Sequence, residues 1–292
     1  MKQTAFLLKY IMQKLIWILI LLLFWQQRIF AQSLSLRIFD NKNKPVAFAS
    51  IVFISSEKGT IADEYGKFVL TSFNEQDSIK ISAISFIPRI IAVKDLYKKD
   101  SIFLKTGLYA LEEVVIVSKT KRKDQRVLGF YSDKNNSSFI LRPGAQIGLF
   151  IPNTNRVRGY IDKLFFKLEK LSRCNCPLRM RLLKPTEKNH PGDDLLKENF
   201  ILFSKDLKRK NIIELSKYSI PFSGNEIFVV LEWIEISQPC GSPSTPVISG
   251  TLKSNINSVW SNYRDRQWNK RHNTPIKDDK FMNAAFGIEI SY

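Results

Sequence analysis

The stretch LRIFDNKNKPVAFASIVF, residues 36–53, decides how the first part of the chain is read. Leu34 to Phe39 alternates apolar and polar residues, the two-residue period of a half-buried strand. Asp40 to Pro45 is a polar turn, and Val46 to Ile54 is rich in β-branched and aromatic residues. Working outward, KGTIADEYGKFVL (58–70) holds a tight reversal at Asp63–Gly66 before another alternating run. Asp77-Ser78 opens the run Ile79–Ile84, and Asp100-Ser101 opens Ile102–Leu104. Turn signals about every ten residues between short strands predict an all-β sandwich.

These segments, taken in order with DSIKISAISF (77–86), DSIFL (100–104) and LEEVVIV (111–117), resemble the carboxypeptidase regulatory-like domain of Bacteroidetes exported proteins. The same domain stands at the N-terminus of many TonB-dependent outer-membrane receptors. The resemblance spans about residues 34–118 and implies a transthyretin-like Greek-key sandwich of about seven strands. It departs from the family pattern at Phe86-Ile87, where a Gly-Tyr pair is usual. The resemblance implies no peptidase activity, because the zinc of the associated peptidases sits on a separate catalytic domain. The chain also has no His-x-x-Glu pair with a distant third His. The sequence beyond position 118 is too short for a receptor plug and barrel. Asp77-Ser78-Ile79 and Asp100-Ser101-Ile102 resemble the O-glycan acceptor motif of Bacteroidetes exported proteins, although starting a strand is role enough for them.

Residues 1–31 read as a secretory leader. Leu15–Trp25 is an unbroken apolar run preceded by Lys2, Lys9 and Lys14 and followed by Gln26, Gln27 and Arg28. A bilayer core needs roughly 20 apolar residues, so the run is short for an anchor. Cleavage is expected after Ala31, leaving Gln32 as the first mature residue. Translation from Met12 gives a more compact leader charged at Lys14. No Cys lies near the cleavage point to make a lipoprotein anchor. The expected location is the periplasm or the outer-membrane surface, with no membrane span after cleavage.

The formal charge of +18 is unevenly spread, at +1 over residues 33–118 and +13 over residues 119–292. Export argues against nucleic acid as the partner. An envelope protein or an anionic polysaccharide suits the basic half, with lipid phosphate as another source of negative charge.

Residues 119–126 (KTKRKDQR) lack apolar periodicity and read as a basic linker between domains at 32–118 and 127–292. Trypsin is expected to cut there first. Beyond it, strands are predicted at Phe139–Arg142, Gln146–Ile151, Arg158–Leu168, Leu178–Leu183, Phe200–Phe203, Asn211–Leu215, Ile227–Ile234, Val247–Ser249, Val259–Tyr263 and Ala284–Ile290. A short helical turn is predicted at Gly192–Glu198. This pattern fits a second, jelly-roll-like β-sandwich.

No catalytic constellation stands out. Glu232 and Glu235 lie three apart on a strand and point to opposite faces. Asp193-Asp194 and Asp278-Asp279 read as solvated turns, and His190 as a turn residue in Lys188–Gly192. There is no nucleophile elbow, and no cofactor or metal is expected. In an oxidising compartment Cys240 is expected to pair with Cys174 or Cys176, stabilising the fold by roughly 4 kcal/mol. The segment Ser258–His272 interleaves Trp260, Tyr263 and Trp268 with Arg264 and other cations. Flat aromatics stack on sugars and arginines hold anions, so Trp260, Tyr263, Arg264 and Trp268 are the candidate binding residues. The expected function is non-catalytic binding or scaffolding in the envelope. The alternatives are a carbohydrate-binding protein of a polysaccharide-utilisation system and an envelope hydrolase with an unrecognised site.

Overall fold

The computed structural model describes residues 12–14, 33–55, 59–71, 73–107, 124–131, 134–154, 156–171, 176–222, 226–234, 246–263, 267–271 and 275–292. Met12–Lys14 are helical. Apart from the ends of two strands at Ser33 and Thr71, the strands belong to one compact unit, 34–70 with 74–292. The leader cleavage point, Cys174, Cys240, Arg264 and most of the 119–126 stretch lie outside the described residues.

The first sandwich is built from β1 (Ser33–Asp40), β2 (Ser50–Phe53), β3 (Gly59–Ile61), β4 (Lys67–Thr71), β5 (Ser78–Ser82), β6 (Arg89–Ala92) and β7 (Ser101–Leu104). They form two sheets, in the orders β4-β1-β7 and β3-β2-β5-β6, with β1 and β7 parallel. The alternation read from the sequence sets the faces. Leu36, Ile38, Ile51, Phe53, Phe68, Leu70, Ile79, Ile81, Ile102 and Leu104 are buried between the sheets. The seven-strand transthyretin-like sandwich is therefore present.

Its turns are made by the expected side chains. Asp63 Oδ1 accepts from the N–H groups of Tyr65 and Lys67, at 2.9 and 2.8 Å. Gly66 closes that reversal at φ +72°, where a Cβ would sit 2.5 Å from the Ile38 carbonyl oxygen. Only glycine fits such a position without strain.

Asp77 is a second turn device. It is buried, and its carboxylate accepts from the Ser55 hydroxyl, Ser55 N–H (3.2 Å) and Ser78 N–H (2.7 Å). Burial alone pushes this carboxyl upward, but the donors from Ser55 and Ser78 outweigh it and hold the group below its ordinary range. A depressed folded-state value means that the stabilisation is complete above the unfolded pKa of about 3.9. It disappears as the pH falls through the folded value. Asp77→Ala is expected to cost about 1–3 kcal/mol in urea unfolding at neutral pH. The gap from the native chain should close below about pH 4. A gap of constant size down the whole acid range would refute this role.

The second sandwich comprises β8 (Gln125–Gly129), β9 (Ser137–Ile140), β10 (Ala145–Pro152), β11 (Gly159–Lys170), β12 (Pro177–Pro185), β13 (Pro191–Asp194), β14 (Phe200–Phe203), β15 (Lys210–Glu214), β16 (Ile220–Phe222), β17 (Glu226–Trp233), β18 (Val247–Ser254), β19 (Val259–Tyr263), β20 (Asn269–Lys270), β21 (Phe281–Ala284) and β22 (Phe286–Ser291). One sheet runs β13-β12-β17-β10-β19-β20, with β14 also on β12. The other runs β21-β18-β11-β22-β8, with β15 and β16 on β11 and β9 on β18. Its described pairings are antiparallel, and spatial neighbours such as β12 and β17 are distant in sequence, as in a jelly roll. Phe139, Ile147, Leu149, Phe166, Met180, Val229, Trp233, Phe286 and Ile288 fill the space between the sheets.

Two sequence expectations need correction. The stretch read as linker ends early, because Gln125 and Arg126 already pair with Ser291 and Ile290. As an exposed edge strand β8 carries polar side chains, which gave it a linker's composition. The helical turn expected at Gly192–Glu198 is instead the end of β13 followed by bends. Asp194 is held there by Arg181, and Leu195 N–H donates to the Leu182 carbonyl, so the chain stays extended along β12.

Candidate functional site

The outer face of the sheet containing β10, β12, β17 and β19 carries an unusual set of side chains. On β17, Ile227, Val229, Leu231 and Trp233 point into the main core, so Phe228, Val230 and Glu232 point the other way. Strand register then builds rows across that face. Arg179, Glu232, Gln146 and Asn262 lie side by side on four successive strands. All four are buried. The next row is Arg181, Val230, Gly148 and Trp260, followed by Leu183, Phe228 and Phe150.

The polar row is held by ion pairs. Arg179 Nε lies 3.2 Å from Glu232 Oε2, with both side chains at most 5% exposed. Arg181 grips Asp194 with two parallel bonds, Nε to Oδ1 at 3.1 Å and Nη2 to Oδ2 at 2.7 Å. Its Nη1 donates to Gln146 Oε1 at 2.9 Å and lies 4.0 Å from Glu232 Oε2. Two guanidinium groups and two carboxylates thus balance each other in a site from which water is largely excluded. Such a geometry supports ion pairs only when the remaining donors and acceptors are also used.

Arg179 also reaches the first sandwich. Its Nη2 donates to the Phe48 carbonyl at 3.0 Å, and Asn199 Nδ2 donates to the Ala47 carbonyl at 3.3 Å. The Ser85 hydroxyl donates to the Lys197 carbonyl. Phe48 and Ser85 have φ of 55° and 68°, left-handed values that a residue with a Cβ holds at a cost of about 1–3 kcal/mol. Both strained residues therefore sit where the first sandwich meets the second. Ser85 immediately precedes Phe86-Ile87, where the sequence departs from the family pattern.

At the other end of the face the row becomes aromatic. Trp260 and Trp268 pack, half-buried, on Leu183, Phe228 and Val230. Trp268 lies over Gly148, where a Cβ would stand 3.4 Å from its ring, so the glycine makes a seat for the indole. The His190 ring rests 4.8 Å from Trp260, and His190 closes the Thr186–His190 turn, as its loop composition indicated.

The structure brings together Trp260 and Trp268 but not all four sequence candidates. Tyr263 is exposed and lies three residues from Trp260 on β19, so strand alternation turns it to the opposite face. Arg264 lies outside the described residues. Cys176 is buried in the main core, with its N–H on Ser204 Oγ at 2.9 Å. Its two candidate partners, Cys174 and Cys240, lie outside the described residues. Asp194 and Glu232, read from the sequence without a functional role, are the acidic members of the buried network.

Among the described residues no three His, Cys, Asp or Glu side chains gather as a metal site, and no helix is long and apolar enough to cross a membrane. A cleft of about 270 Å³ between β14 and β15 is lined mainly by Phe166, Ile201, Leu202, Ile212 and Ile213. The Asn211 side chain there is engaged with the Lys208 backbone.

Residues 37–116 match a family model described as the CarboxypepD_reg-like domain, so the first sandwich is a carboxypeptidase regulatory-like domain. No curated protein matches the chain. Among solved structures, a DUF3823 family protein from Parabacteroides merdae aligns over 70% of this chain and 98% of its own, at 7% identity and a TM-score of 0.21. A likeness that slight assigns neither fold nor function.

Proposed function

We propose that the chain is an exported, non-catalytic binding or scaffolding protein of the bacterial envelope, in which the regulatory-like sandwich is a fixed part of the recognition body. The observation that carries this reading is the Arg179 side chain, which ties Glu232 of one sandwich to the Phe48 carbonyl of the other. Glu232 and Asp194 are committed to guanidinium groups rather than presented to a substrate, which supports recognition over hydrolysis. The leader read in residues 1–31 supports export. Photo-crosslinking in intact envelopes from exposed Tyr65 or Tyr97 is expected to trap a discrete envelope protein. A chain that stays uncrosslinked and monomeric from both positions would count against scaffolding.

The half-exposed Trp260–His190 and Trp268 surface favours a second reading, carbohydrate binding. Isothermal titration against a panel of soluble neutral and anionic polysaccharides tests it. Trp260→Ala and Trp268→Ala are each expected to weaken a bound glycan about tenfold, a loss of about 1.4 kcal/mol. Equal affinity in both variants, or no glycan bound by the native chain, removes this reading.

A further inference from the structure

We propose that the cleft between β14 and β15 binds the alkyl chain of an anionic amphiphile, a fatty-acid-like molecule whose carboxylate is held at a lysine-rich mouth. Among the described strands β14 pairs only with β12 and β15 only with β11, so each is an edge strand of one of the two sheets. The 3₁₀ turn Ser204–Asp206 and residues 207–209 join them. The sandwich is open along this edge, and the opening is the cleft of about 270 Å³. Phe166 of the main core is part of its lining, and Ile201, Leu202, Leu207, Ile212 and Ile213 make it apolar. Its surroundings are tied down by hydrogen bonds. Ser204 is buried, its N–H donating to the Cys176 carbonyl at 3.0 Å and its Oγ accepting from Cys176 N–H at 2.9 Å. Asn211 Oδ1 accepts from Lys208 N–H at 2.9 Å, and Leu168 N–H donates to the Arg209 carbonyl at 2.9 Å. A cavity formed in advance loses little order when a ligand enters. Ile212 is still 57% exposed, and a chain lying in the cleft would cover apolar area there.

The mouth supplies the other half of the match. Lys205, Lys208, Arg209 and Lys210 are exposed beside the one carboxylate of Asp206, a net charge of +3 on six consecutive residues. Among the described residues none of these four cations forms an ion pair. Lys210 also stands directly across from Lys167 in the β15–β11 register, and like charges so placed repel until an anion joins them. Apolar walls alone would suit any hydrophobic ligand, whereas the charged mouth selects one with an acidic head. Size narrows the class further. A methylene group takes roughly the 30 Å³ of a water in the liquid, so the cleft has room for about nine chain carbons. That is one alkyl chain, not the two of a phospholipid. The site is separate from the aromatic surface, because β12, β17 and β10 lie between β14 and β19.

Isothermal titration of the mature chain with decanoate, hexanoate and decanol tests this, at low ionic strength and with each ligand below its aggregation concentration. Decanoate should bind, and hexanoate, which has fewer methylenes to bury, should bind about tenfold or more weakly. Lys208→Gln combined with Lys210→Gln should weaken decanoate about tenfold and leave decanol unchanged. Ile212→Ser should weaken both ligands. The three substituted side chains are exposed, so these variants should keep the native fold, which circular dichroism checks. Absence of decanoate binding to the native chain overturns the site, as does equal affinity for hexanoate or native affinity in both variants. Capture of phosphatidylglycerol vesicles without decanoate binding also overturns it, because the lysines would then be a membrane-surface patch and not the mouth of a cleft.

Discussion

Glu232→Ala should lower the stability of the mature chain by about 3–5 kcal/mol in chemical unfolding. The size of the effect comes from what remains. Arg179 and Glu232 are 4% and 3% exposed, and deleting the carboxylate strands a guanidinium in a site that water does not reach. Arg181 keeps Asp194 as a counter-charge, so the penalty falls mainly on Arg179. Removing both partners as Arg179→Met with Glu232→Leu should recover much of the loss, since apolar replacements of a buried pair are often neutral or better. The double variant nevertheless loses the Arg179 bond to the Phe48 carbonyl. It should therefore fold while holding the first sandwich less firmly. Trypsin cleavage in the 119–126 stretch provides the readout. Fragments of the native chain are expected to stay together on size exclusion, and those of the double variant to separate. Co-elution of the double variant's fragments would show that Arg179 does not secure the docking.

Much of the first sandwich could be read without a structure because its signals are local. Asp63 and Gly66 make their reversal with bonds inside a five-residue window, and Ile79 and Ile81 face the core by simple alternation. The second sandwich was legible in its long strands and hidden in its short ones. β16 contains Pro221, β20 has two residues, and β8 carries an edge strand's polar side chains. The candidate site was the least legible part. Leu178, Met180 and Leu182 alternate with Arg179 and Arg181, which marks β12 as a strand. Whether those arginines meet water or carboxylates depends on Glu232, set opposite Arg179 by register from 53 residues away, and on Asp194, 13 residues beyond Arg181. Strand periodicity did hold information about the binding residues. The three-residue spacing that separates Glu232 from Glu235 also places Trp260 and Tyr263 on opposite faces.

The contrast between two tryptophans supplies the second large effect. Trp233 is 1% exposed at the end of β17 and is among the largest fully buried side chains, packed between the sheets. Trp268 lies on the opposite face of the same sheet, half-buried over Gly148. Truncating an enclosed indole leaves a cavity that rigid strands on both sides cannot close, so Trp233→Ala is expected to cost about 3–5 kcal/mol. The Trp233 carbonyl also accepts from Gly144 N–H at 2.8 Å, in the turn that bears Arg142. Loss of packing there should loosen that turn as well. Trp268→Ala opens its gap to solvent, so it should cost less while removing half of the aromatic surface. Urea unfolding followed by far-ultraviolet circular dichroism compares the two variants without relying on the fluorescence of the missing ring. If Trp268→Ala proved as damaging as Trp233→Ala, the outer face would be a second structural core. The aromatic surface would then have to be given up as a ligand platform.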